Sequence, residues 1–103
     1  MANEFVPLVR IRGEVTSTLS NVVSSATNVT LQAANENRRM WSVFNDSDKD
    51  LYLKWGATAT TTSYTVKVPP GAYYEMTLPV YNGVIDAIWA AGPTGSARVT
   101  ELS

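Results

Sequence analysis

The sequence predicts an all-β protein: an antiparallel β-sandwich or jelly-roll-like barrel that follows an extended N-terminal arm. Three observations carry the prediction. From residue 28 onward, short stretches alternate apolar and polar side chains with the period of two that a half-buried strand requires. Turn signals rich in Gly, Pro, Asn and Asp separate these stretches roughly every 8–12 residues, the spacing of a sandwich or barrel. No window carries a 3.6-residue apolar stripe opened by a capping residue.

Taken in order, residues 29–33 alternate cleanly, with Val29, Leu31 and Ala33 on one side. A polar turn at 35–37 follows, and the stretch 33–40 has room for one helical turn and no more. Residues 39–45 are apolar on both parities, which suits a strand covered on both faces. Asp46, Ser47, Asp48, Lys49 and Asp50 make a polar turn. Residues 51–55 then place Leu51, Leu53 and Trp55 on one face, with Tyr52 and Lys54 on the other.

In residues 64–68, Tyr64, Val66 and Val68 share a face. Pro69, Pro70 and Gly71 end that strand, because proline cannot donate to a ladder. Residues 73–78 and 84–89 are further strands, parted by a break at 79–83. The last strand, 97–102, sets Ala97, Val99 and Glu101 against Arg98, Thr100 and Leu102.

The N-terminal 27 residues differ. Residues 8–12 alternate as a short strand does, but 13–27 are rich in Ser, Thr and Asn and too poor in apolar side chains for a core of their own. They are expected to be a disordered leader or an arm that adds a strand to a neighbouring subunit. The domain proper is expected over 28–103.

Composition excludes several function classes. With 103 residues the chain is sized for one domain, and a domain this small has a thin core that self-association would reinforce. The net charge of −1 lacks the basic excess of a nucleic-acid binder. There is no Cys and no His, which removes disulfides, thiolate zinc sites, cysteine nucleophiles and every Ser-His-Asp arrangement. No apolar run approaches the roughly 20 residues that span a bilayer. Residues 1–7 include Glu4 and lack the basic start of a signal peptide. The expectation is a non-enzymatic protein with no cofactor or metal and no nucleic-acid or membrane partner.

Each chemical motif has a plain structural reading. Asp46, Asp48 and Asp50 open like a calcium loop, but the required Gly and Glu are replaced by Leu51 and Ala57. They read as a solvated turn. The glycosylation patterns at Asn28 and Asn45 carry no weight without a secretion signal. Asn45 is expected to end its strand. Asp86, inside the most apolar strand, has no second acid to work with and is expected at a rim or interface, paired with Arg98 or Arg39. Residues 56–63 form a long surface loop without phosphate-binding spacing.

The aromatic residues are the most distinctive group. They suit a sandwich core and a subunit interface, or else a platform for sugar rings. Tyr73 and Tyr74 are adjacent, so one points in and one out. The interface candidates are Leu8, Ile11, Trp41, Trp55, Tyr74 and Tyr81.

The order of motifs carries a resemblance. Arg38 and Arg39, then VFNDS at 43–47, LYLK at 51–54, GATA at 56–59, YTVK at 64–67, PGAYYE at 70–75, GVIDAIW at 83–89 and ARVTE at 97–101 resemble a small domain of tailed-bacteriophage virion proteins. The resemblance covers about residues 28–102 and carries over no catalytic residue. It implies a virion structural component assembled in the bacterial host cytoplasm, of which a capsid decoration (cement) protein is the leading form. Its expected partners are further copies of itself, in a homo-oligomer such as a trimer, and the major capsid protein or another virion protein. A tail or fibre-tip module for receptor or glycan binding is the alternative.

Overall fold

The computed structural model describes residues 14–103. These residues form eight strands and no helix: β1 (Ser17–Val23), β2 (Val29–Gln32), β3 (Met40–Ser47), β4 (Leu51–Trp55), β5 (Val66–Val68), β6 (Tyr73–Glu75), β7 (Ile85–Trp89) and β8 (Gly95–Leu102). The strand expected over residues 8–12, with Leu8 and Ile11, lies outside the described residues.

The pairing is nested. β1 pairs with β8, β2 with β7, β3 with β6 and β4 with β5, all antiparallel, as in one long hairpin whose tip is β4–β5. Two further ladders, β3 with β8 and β4 with β7, roll that hairpin into two four-stranded sheets. The first sheet has the order β1-β8-β3-β6 and the second β2-β7-β4-β5. The layers form an open sandwich. The closed-barrel form of the expectation is not realised, because no strand of one sheet pairs with a strand of the other among the described residues.

Strand parity places the core between the sheets. The first sheet turns in Trp41, Val43 and Asn45 from β3 and their register partners Glu101, Val99 and Ala97 from β8. The second turns in Leu51 and Leu53 from β4 and Ile85, Ala87 and Trp89 from β7. Nearly all of these side chains are sealed from solvent.

Two polar knots cross this interior. Asn45 is fully buried; its amide donates to the Lys49 and Val68 carbonyls at 2.9 and 2.8 Å and its carbonyl accepts from Ser47 and the Trp89 indole. It therefore does not end β3, as expected from sequence, but ties β3 to the β3–β4 turn, β5 and β7. At the opposite end of β3, the Arg38 guanidinium donates to Glu101 at 2.8 Å and to the carbonyls of Tyr81, Gly83 and Ala33. Gln32 links Glu101 onward to the Trp41 indole. A buried ion pair is tolerable only when satisfied this completely.

The expected N-terminal arm is partly overturned. Residues 17–23 are not free but form β1, in unbroken register with β8 of the same chain. The sequence hid this strand because its alternation is inverted. Thr18, Ser20 and Val22 face inward, while Leu19 and Val23 face out. Ladder hydrogen bonds hold β1, with little help from burial. No helical turn forms over 33–40.

Candidate interaction surface

The structure gathers four of the six sequence-based interface candidates into one aromatic cluster. Trp55, at the end of β4, meets the Trp41 ring edge-on at 6.1 Å, stacks on Tyr81 at 6.0 Å and lies 6.1 Å from Tyr74. The loop between β6 and β7 brings Tyr81 there, and its phenol lies over Gly83, where a β-carbon would force the ring to shift. Trp41 has no exposed surface, so it belongs to the core and offers nothing to a partner. Odd parity in β3 puts it inside with Val43. Trp55, Tyr74 and Tyr81 are partly buried and close that end of the sandwich.

Among the described residues seven large apolar side chains are exposed; four of them lie on the outer face of the first sheet, the others being Val15, Tyr64 and Leu78. Leu19 is 68% exposed, Val23 73%, Tyr73 58% and Phe44 37%. Register places them on one surface: Phe44 is directly opposite Tyr73 on one side and Arg98 on the other, and Arg98 is opposite Asn21 of β1. Arg98 donates to Asp46 at 2.9 and 3.1 Å, which leaves this face with a neutralised charge pair among apolar groups. The expected partition of the tyrosine pair holds, with Tyr73 outward and Tyr74 inward. Residues 39–45, apolar on both parities, suggest a strand covered on both faces, but Phe44 has the opposite parity to Trp41 and Val43 and lies on the open side.

The outer face of the second sheet is different. It bears Tyr52, Lys54, Lys67, Ile88 and Asp86. Tyr52 packs edge-on against Tyr64 at 4.8 Å. Asp86 pairs with neither arginine proposed for it; it is buried under Asn28 and Thr30, which donate to its two oxygens at 3.1 and 2.8 Å. Asn28 also accepts from the Ala59 amide, which pins the 56–63 loop to the sheet. Lys54 anchors the same loop through the Thr58 carbonyl and Ser63 hydroxyl.

The acidic turn acts as a latch between loops. The Asp48 carboxylate accepts from the Thr94 amide at 2.8 Å, and this hydrogen bond holds its pKa below the usual 3.8. Beside it, Gly95 at φ +117° lies so close to Asp46 and Ser47 that a β-carbon would be only 2.7 Å from the Ser47 Cα. Among the described residues no group of three or more carboxylates could share a metal ion, and no pocket is found.

Compared with known proteins, the chain matches no family model, no curated protein and no solved structure.

Proposed function

We propose that the protein is a non-enzymatic structural subunit of a tailed-phage virion, acting as a capsid decoration protein that binds further copies of itself and the coat. The observation that carries this reading is the one-sided outer surface, where Leu19, Val23, Phe44 and Tyr73 stand exposed on a single sheet. Exposed apolar side chains on one sheet face are a surface that a subunit of an assembly can bury. The strand order adds support: nested pairing rolled into two four-stranded sheets is the order of an eight-stranded jelly roll, an architecture that recurs in viral capsid domains. The motif order from residue 38 to 101 supplies the phage context.

The mechanism is burial. At roughly 25 cal/mol per Å² of apolar surface, a small contact repeated over many copies reinforces a shell. The test is sedimentation of the purified protein with purified phage capsids, expected to co-pellet and to raise the temperature at which the shell opens. Failure to bind capsids would sink the reading.

A second reading is a receptor- or glycan-binding module at a tail or fibre tip. It is favoured by the exposed Tyr73 ring beside Phe44 and by the recurrence of jelly rolls among lectins. A glycan array with wild-type protein and Tyr73→Ala separates the two, since capsid decoration predicts no glycan signal.

A further inference from the structure

The four sheet edges are not alike. Three of them carry the devices by which folded proteins avoid edge-to-edge pairing. β6 and β5 have three residues each, and β5 contains Lys67 and runs into Pro69 and Pro70. β2 has four residues and an irregular register between Thr30 and Gln32. β1 has none of these. It is seven residues long, in continuous register, and free of Pro and of charge.

The hydrogen-bond phase of β1 is also fixed. Thr16 and Ser103 exchange both backbone bonds, and Ser24 donates to Gly95, so the even-numbered residues point their amides and carbonyls at β8. Ser17, Leu19, Asn21 and Val23 therefore direct theirs toward the outer edge, which no other strand covers among the described residues.

We infer that β1 is a self-pairing edge: two copies of the chain join antiparallel along β1, about a two-fold axis through Ser20, and fuse their first sheets into one. This deepens the self-association part of the proposed function by naming the partner and the mode. The register satisfies both constraints a ladder imposes. Ser17 falls opposite Val23 and Leu19 opposite Asn21, so residues with outward-pointing backbone groups meet one another and every side chain stays on its own face. Leu19 has the partner's Leu19 and Val23 as diagonal neighbours, about 7–8 Å away, which joins the two apolar faces into one strip across the axis. The absence of charge on β1 means that homotypic pairing meets no like-charge repulsion. Isologous two-fold contacts are also the commonest way identical chains associate.

The test combines sedimentation over a concentration series with amide hydrogen exchange. Wild type is expected to form a reversible dimer in which the Leu19, Asn21 and Val23 amides become protected as concentration rises. The Thr18, Ser20 and Val22 amides should be protected at every concentration. The L19K/V23K variant changes only exposed side chains, so it should keep the wild-type circular dichroism while weakening dimerisation at least about tenfold, or ~1.4 kcal/mol. A wild-type monomer at all concentrations overturns the inference. So does a dimer indifferent to L19K/V23K, or odd-numbered β1 amides already protected in the dilute monomer. A chain that dimerises through β1 but ignores capsids keeps the edge and ends the virion reading, and capsid binding by a chain that never dimerises does the reverse.

Discussion

The outer faces of the two sheets were built by the same alternation on the same kind of ladder, yet they spend their outward positions differently. The second sheet turns out lysines, a Tyr52–Tyr64 pair in which Tyr64 is 42% exposed, and an aspartate sealed under Asn28 and Thr30. The first turns out Leu19, Val23 and Tyr73, each more than half exposed, with Phe44 between strands at 37%. Both faces rest on one shared interior. The difference therefore lies in which side chains each face leaves open, not in the interior that supports them.

The largest expected effect removes the support common to both faces. Glu101→Ala leaves the Arg38 guanidinium, whose side chain is wholly buried, without its counter-charge. Unfolding in urea should show a loss of about 3–5 kcal/mol, with both faces lost together. Gly95→Ala comes next, at about 1–3 kcal/mol, because its β-carbon must push Asp46 and Ser47 away from the β3–β8 ladder. Its damage should be confined to that turn, as amide exchange can show.

The faces themselves should then separate binding from stability. Phe44→Ser with Tyr73→Ser is expected to abolish capsid association while leaving the dimer along β1 intact, at a cost of about 1 kcal/mol per site for the lost cross-strand pair. Tyr52→Ala, on the other face, should cost about 1 kcal/mol through its lost contact with Tyr64 and leave association intact. Equal loss of binding from both faces would break the comparison.

The smallest effect is one of pH. The Asp48 pKa is lowered on folding, so its carboxylate adds stability that is present above the unfolded value of about 3.8–3.9 and is lost as pH falls through the folded value. An acid titration of stability should show a slightly shallower limb for Asp48→Asn.

The sandwich was legible in the sequence because most of its strands obey one rule, apolar side chains toward the core. β4 matched its expected bounds, and the Ala97, Val99 and Glu101 face of β8 was assigned to one side by parity alone. β1 broke the rule by carrying Leu19 and Val23 outward. Strand pairing through the backbone leaves no mark in side-chain type, so a strand held mainly by its ladder reads as a polar arm. Asn45 was misplaced for a related reason: its type signals a turn, and only tertiary contacts with Val68 and Trp89 make it a core residue. Of the interface candidates, aromatic type picked out Trp41, Trp55, Tyr74 and Tyr81, which the fold brings together, but not the depth of Trp41, and the exposed face had to wait for the register.

The nested pairing of the strands also sets an order of assembly. The β4–β5 tip closes a short loop, whereas β1 and β8 must find each other across nearly the whole described chain. Closure entropy grows with that separation, so the expected order is a ladder that zips outward from the tip, with β1 docking last. Stopped-flow refolding should accordingly fall in the slow range of β-sandwiches, roughly milliseconds to seconds. Until that last step β8 is itself an open edge. In that order a neighbour's β1 would fit the open β8 edge as well as the chain's own, so refolding at high concentration is expected to favour strand exchange between copies.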